Sequence, residues 1–256
     1  MLPDVAPRNP KDTYITVYGR KPVLEALRDP ALTVHKVVAA SSARGESLAA
    51  IRAAAARRGV PVHQASAHRV KVLAGNGHHD QGVLADVVAP GMRPVAEFLA
   101  ALPADAPCAV LVLDAVTNPS NVGMVLRTAT AAGLDGVLVP RRGVPAIDPL
   151  VIKASAGVAF RAPVLRAASA AEGCAALRAA GVRVLGLAGD APVSLLDAPL
   201  PGRVALVLGN ETNGLSEPVR AELDGTIAIP MRGGVESLNV AAAAAVAAYE
   251  LLRRRC

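Results

Sequence analysis

Two runs, Ala109-Val-Leu-Val-Leu113 and Val204-Ala-Leu-Val-Leu208, carry no polar side chain at any position. Successive residues of a strand point to opposite faces, so a strand apolar throughout has to be covered on both sides. Parallel sheets clad by helices meet that requirement. The chain between and around these runs supplies the helices. A helical pattern covers about 122–132 and stops at Gly133, and the strand Gly136-Val-Leu-Val-Pro140 follows. Residues 170–180 form a helix ended by Gly181, and 182–187 are extended. After Leu208 come Gly209-Asn-Glu-Thr-Asn-Gly214 and a helix capped by Ser216, with Glu217 in its first turn. Strand and helix alternate, which predicts an α/β fold.

The chain ends on its most constrained segment, residues 226–255. Ile227-Ala-Ile229 reads as a short strand that Pro230 stops, since proline has no N–H for the ladder. Gly233 and Gly234 let backbone approach closely, and Ser237 and Asn239 stand where a helix begins. Residues 240–249 contain no charge, so this helix is expected to be buried on all sides, against a core or a partner subunit. Arg253, Arg254 and Arg255 follow at the negative end of its dipole. Only 2 % of the chain is aromatic against 52 % hydrophobic, so Ala, Val and Leu must build the core.

Ahead of the parallel-sheet domain, expected over 108–256, a smaller α/β unit is expected over 13–89. Strands are expected at 14–18, 35–40 and 81–88 and a short extended piece at 60–63, with helices at 23–27 and 47–58. Residues 1–12 read as a loose arm, and the proline-rich stretch 90–107 as a linker with one short helix. Residues 1–89 hold 12 Lys and Arg against 7 Asp and Glu, which is +5 of the chain's net +6. That points to a polyanion partner. His78 and His79 are adjacent and have no cysteine nearby; they read as part of a polar, phosphate-facing loop rather than a zinc site. No metal is expected. Cys108, Cys174 and Cys256 are odd in number and widely spaced, and fit neither a disulfide framework nor a zinc pattern. The absence of a signal-peptide pattern and of a long apolar run leads to a cytoplasmic expectation, with no membrane association.

Three polar stretches punctuate the second domain at or just after strand ends: 118–123 followed by Arg127, 206–216 and 229–239. Ligands of open α/β sheets gather outside the carboxyl ends of strands, so the three are expected to share one site. Taken singly, Asn121 reads equally well as a helix cap, Glu211 as a turn residue and Arg127 as a surface charge. No G-x-G-x-x-G, P-loop or G-x-S-x-G pattern is present.

In order and content these stretches resemble the SpoU (TrmH) family of RNA ribose 2′-O-methyltransferases, in the SPOUT superfamily. The family pattern N-x-x-N-x-G-x-x-x-R-x-A is matched by 118–129, L-G-x-E-x-x-G-L-S by 208–216, and I-P-M-x-G-x-x-x-S-L-N-V by 229–240. Gly19-Arg-Lys-Pro-Val-Leu-Glu-Ala-Leu27 and Gln81-Gly-Val83 resemble the N-terminal RNA-binding domain of many members, which has an L30e-like fold. The resemblance implies a C-terminal trefoil knot, S-adenosylmethionine as methyl donor, and a homodimer, for which the helix at 240–252 is the candidate interface. It implies cofactor binding by Leu208, Gly209, Ile229, Met231, Leu238 and Asn239, and catalytic roles for Asn121, Arg127, Glu211, Ser237 and Asn239. The layout is similar to the subgroup acting on guanosine of 23S ribosomal RNA. Transfer RNA, an antibiotic-resistance role and a non-catalytic assembly factor are the alternatives.

Arginine holds its proton to very high pH, so Arg127 is expected to anchor phosphate and stabilise developing alkoxide rather than act as the base. Residues 1–89 contain only two aromatic side chains besides histidine, Tyr14 and Tyr18. RNA contact is therefore expected through Arg20, Lys21, Arg57, Arg58, Arg69 and Lys71, on a folded shape rather than a linear word.

Overall fold

A computed structural model describes residues 10–75 and 80–255, and the chain divides into two units. Most of the N-terminal arm, His78, His79 and Cys256 lie outside the described residues.

The first unit takes in the described residues up to Pro90, with 147–149. Its elements are β1 (Tyr14–Tyr18), α1 (Arg20–Arg28), β2 (Val34–Ala40), α2 (Glu46–Arg57), β3 (Val62–Ala65), α3 (Ala67–Ala74) and β4 (Val83–Val88). The mixed sheet has the order β1-β4-β2-β3, with β4 antiparallel to both neighbours and β2 parallel to β3. Tyr18, Val38 and Leu84 bury one face against Val70 of α3. Helix α3 was not expected: Val70 is its sole fully buried side chain, so it shows little apolar periodicity. Its start is nonetheless marked, since Ser66 accepts a hydrogen bond from Arg69 N at 3.2 Å.

The second unit holds 91–146 and 150–256. It comprises β5 (Arg93–Pro94), α4 (Val95–Ala101), β6 (Cys108–Leu113), α5 (Pro119–Ala131), β7 (Gly136–Leu138), α6 (Pro149–Ala154), β8 (Val164–Arg166), α7 (Ala170–Ala179), β9 (Arg183–Leu187), β10 (Arg203–Leu208), α8 (Glu217–Arg220), β11 (Gly225–Ile227) and α9 (Val240–Arg253). Seven strands form one sheet, ordered β11-β9-β10-β6-β7-β8-β5, and every pairing is parallel. The two apolar runs that predicted a buried sheet are its adjacent strands β6 and β10, paired from Arg203 against Cys108 to Leu208 against Leu113. Helices α5 and α9 pack on each other and over the central strands. On the opposite face Cys174 and Leu177 of α7, Phe98 of α4 and Val219 of α8 join one core with Val110, Val112, Ala205 and Val207.

Three expectations are corrected here. The stretch 90–107 is not merely a linker: Arg93–Pro94 pairs with Leu165–Arg166 as an edge strand, where a proline is tolerated. Helix α5 begins at Pro119, and its cap is Asn118, whose Oδ1 accepts from Ser120 N at 2.9 Å. Asn121 is thereby left free of capping duty. Helix α9 is not buried all round within this chain, because Tyr249 is 52 % and Val246 37 % exposed. No helix among the described residues is long and apolar enough to cross a membrane.

Candidate active site

From β6 the chain leads through β7 and β8 toward one edge of the sheet, whereas β9 and β11 lie beyond β10 toward the other. The loops that leave β6 and β10 therefore emerge at a topological switch point, where α/β sheets hold their ligands. Here the three polar stretches meet. Asn121, only 4 % exposed, donates its Nδ2 to Glu211 Oε1. Its Oδ1 accepts from Asn239 Nδ2 at 3.2 Å. Asn239 in turn caps α9, its Oδ1 accepting from Ala241 N at 2.9 Å. One buried amide thus joins the helix after β6, the loop after β10 and the start of the last helix. A buried amide with an acceptor and a donor on opposite sides is held in a single orientation.

The loop after β10 is tightly folded. Asn210 and Gly214 exchange two backbone hydrogen bonds of 2.9 Å, and Asn210 Oδ1 accepts from Thr212 N and Asn213 N. Backbone passes so close to Gly209 that a Cβ there would lie 2.5 Å from the carbonyl of Gly214. Only glycine fits that position. Gly123, in the first stretch, has the same reason: a Cβ would come within 2.6 Å of Val151 O, where α5 crosses α6.

Beside this loop lies a cleft of about 390 Å³. Leu208, Gly209, Ile229, Met231 and Leu238 line it, as do Ser237 and Glu211. Asn239 is not among its lining residues; its side chain is engaged with Asn121 and the helix start. Residues 187–190 form a further wall, which no sequence pattern had marked. Asp190 and Glu236 join Glu211 there, against the single cation Arg220. The cleft is thus acidic in a chain whose net charge is +6. Apolar walls with polar loop backbone and carboxylates suit a ligand that combines an aromatic or aliphatic body with positive charge. Among the described residues no cluster of His, Cys, Asp or Glu is disposed to hold a metal ion.

Two of the residues expected to be catalytic stand outside the hydrogen-bonded chain. Arg127 lies on α5, six positions beyond Asn121, and is exposed with no ion pair or hydrogen bond among the described residues. Ser237 is exposed on the loop before α9.

In the first unit, the residues expected to touch RNA separate. β1, β2 and β3 run in one direction, so α1, α2 and α3, which each follow one of them, all begin at the same end of the sheet. Arg20, Lys21 and Arg69 belong to that end. Arg44 joins them in the loop before α2, where its Nη1 donates to Ala43 O at 2.8 Å. The same end includes Glu46. Lys71 lies farther along α3, while Arg57 and Arg58 follow from the far end of α2. Arg58 is not free for a ligand: its guanidinium donates to the carbonyls of Ala26, Leu27, Asp29 and Leu32 and closes the end of α1. Tyr18 is buried and Tyr14 stacks on His35 at 4.7 Å, so neither aromatic ring stands fully open.

Fold and site together define an α/β enzyme domain with its ligand cleft at the strand ends, joined in sequence to a small mixed-sheet domain. Residues 109–249 match the SpoU rRNA Methylase family, and 16–92 match the domain described as RNA 2′-O ribose methyltransferase substrate binding. The chain is 35 % identical over 240 residues to the 23S rRNA (guanosine-2′-O-)-methyltransferase RlmB of Xanthomonas axonopodis pv. citri, covering 93 % of this chain and 96 % of that one. It is 36 % identical over 247 residues to an uncharacterized tRNA/rRNA methyltransferase of Mycolicibacterium vanbaalenii, covering 95 % and 77 %. The SpoU methyltransferase AviRb of Streptomyces viridochromogenes, solved in complex with AdoMet, superposes with a TM-score of 0.62 at 27 % identity over 94 % of this chain and 90 % of that one. The chain belongs to the SpoU rRNA methylase family. It is an S-adenosylmethionine-dependent RNA ribose 2′-O-methyltransferase.

Proposed function

We propose that the chain methylates a ribose 2′-hydroxyl in large-subunit ribosomal RNA, with guanosine as the target nucleoside. The observation that carries this reading is the hydrogen-bonded chain from Glu211 through Asn121 to Asn239, which fastens all three polar stretches beside one cleft. The relatives named for 23S ribosomal RNA align over nearly the whole chain, which supports the substrate.

The cleft fits the methyl donor on three counts: its volume, its apolar walls and its carboxylates facing a cationic ligand. Leu208, Gly209, Ile229, Met231 and Leu238 would hold it, in loops that the family knot brings together. The donor supplies an electrophilic methyl group, so the protein's task is to orient the ribose and lower the cost of ionising its hydroxyl. Asn121 and Asn239 keep the loops in register, Glu211 fixes the amide of Asn121, and Ser237 offers a hydroxyl at the cleft. Arg127, exposed and without a partner among the described residues, holds a phosphate and stabilises developing alkoxide.

RNA lies on the end of the first unit that carries Arg20, Lys21, Arg44 and Arg69, where three helix N-termini add positive potential. Lys71 contributes from farther along α3, and Arg57 from a separate contact. The chain acts as a homodimer in the cytoplasm. Its interface is centred on the exposed apolar side chains Val246 and Tyr249 of α9 and Met124 of α5. Mapping 2′-O-methyl groups across ribosomal RNA after deletion of the gene tests the substrate. One 23S guanosine is expected to lose its mark. Loss of a mark from transfer RNA instead would reassign the substrate.

A further inference from the structure

We infer that Asp114 is a positioning residue for the cofactor loop, acting through Ser216. The inference rests on the cleft beside residues 209–215 being the site of the methyl donor.

Asp114 is the first residue after β6 and is 4 % exposed. It does not line the cleft. Its carboxylate is committed to one partner: Oδ2 accepts from Ser216 N at 2.7 Å, and Oδ1 accepts from Ser216 Oγ at 3.0 Å. Its own N–H donates to Leu208 O at 2.9 Å. The next residue completes the grip, because Ala115 O accepts from Asn210 Nδ2 at 3.0 Å. Asp114 and Ala115 therefore hold both ends of the loop, at Asn210 and at Ser216. Ala115 has φ of 53°, which turns its carbonyl out of the strand direction at a cost that a non-glycine residue bears only where the surroundings enforce it.

Gly209 stands immediately before the loop so held, and its contact with Gly214 inside the loop leaves no slack. Beyond Ala115 the same chain runs directly into Asn118 and Asn121. The ribose side of the site and the cofactor loop are thus registered to a single strand end. A carboxylate is suited to this place because it offers two acceptors and no donor to the N–H and O–H of Ser216. Asparagine can keep both contacts by donating its NH₂ to Ser216 Oγ, whereas alanine removes them together.

Steady-state kinetics and calorimetry on the full-length protein test this, with S-adenosylmethionine and ribosomal RNA as probes. Asp114→Ala is expected to raise Kd and KM for S-adenosylmethionine about tenfold, the scale of one lost charged hydrogen bond, and Asp114→Asn by less. Turnover at saturating cofactor is expected to fall by less than about threefold on that account. Ser216→Ala removes only the Oγ contact and is expected to give a smaller rise in the same direction, which Ser216→Thr reverses. A purely structural role would lower Tm in all variants without separating KM from kcat. Unchanged KM in folded Asp114→Ala and Ser216→Ala, or a loss confined to kcat, overturns the inference while leaving the proposed function standing. Failure of the wild-type protein to bind S-adenosylmethionine at all overturns both.

Discussion

Asn239 Nδ2 donates to Asn121 Oδ1 at 3.2 Å across 118 residues of sequence, and the other side of the same Asn121 amide is held by Glu211. Removing the buried middle member breaks both hydrogen bonds at once and frees the Glu211 and Asn239 side chains from each other's register. Asn121→Ala is predicted to lower kcat/KM at least a hundredfold, with a stability loss of about 1–3 kcal/mol. Asn121→Asp sets a second carboxylate against Glu211 and is predicted to be as damaging at neutral pH. Methyl-transfer rates beside urea denaturation curves check both.

Arg127 separates two mechanisms. Arg127→Ala is predicted to abolish turnover while S-adenosylmethionine still binds by calorimetry. Arg127→Lys is predicted to stay nearly inactive with no gain as pH rises, because an ammonium does not reproduce the planar fork that grips phosphate. Substantial activity of Arg127→Lys that climbs toward lysine's reference pKa of about 10.4 would assign Arg127 the role of base.

Gly209→Ala tests the closeness of the cofactor loop. A methyl group placed 2.5 Å from the Gly214 carbonyl forces the loop to move. Cofactor Kd is predicted to rise at least tenfold, with much of the thermal stability retained because the turn lies at the surface. Isothermal titration and calorimetric scanning measure the two quantities.

The end of α9 carries a pH-dependent clasp. Glu250 is buried, and hydrogen bonds from Arg253 and then Arg254 hold its carboxyl down to about 2 against a desolvation that pulls it up. Arg254 also donates to Ala198 O at 2.6 Å, tying the helix to the 195–198 loop. The folded value lies below the unfolded one, so the unfolded state takes up the proton first as pH falls. The stabilisation is full above about pH 5 and is lost between roughly pH 4.5 and 2. Glu250→Gln is predicted to cost about 1–2 kcal/mol at pH 7, less than the full shift because solvent screens the exposed Arg253, and almost nothing near pH 2. Denaturation curves across that range show whether the two proteins converge.

Much of this site is legible in the sequence because its parts are local. Asn118-Pro-Ser-Asn121, the Gly209–Gly214 turn and Ser237-Leu-Asn239 each announce a strand end or a helix start through residue type alone. The apolar runs of β6 and β10 likewise declare a sheet covered on both faces. What escaped depends on distant chain. Asp114 reads as an ordinary end of strand until Ser216 is seen beside it, and Arg58 reads as an RNA contact until four carbonyls converge on it. β5 and β8 are two and three residues long, too short for any periodicity to reveal. The uncharged run of α9 implied burial on every side, yet Tyr249 shows that apolar sequence alone cannot tell a core from an exposed face.

The most direct test of the account is the chemical form of the transferred methyl group. The full-length protein is incubated with deproteinised 23S ribosomal RNA and methyl-labelled S-adenosylmethionine, and the RNA is then hydrolysed in alkali. Alkaline cleavage needs a free 2′-hydroxyl, so a 2′-O-methylated nucleotide survives joined to its neighbour. The account predicts label in an alkali-resistant dinucleotide, and none with Arg127→Ala. Label released in mononucleotides, which marks methylation of a base, or no transfer by a protein that binds the cofactor, would contradict it.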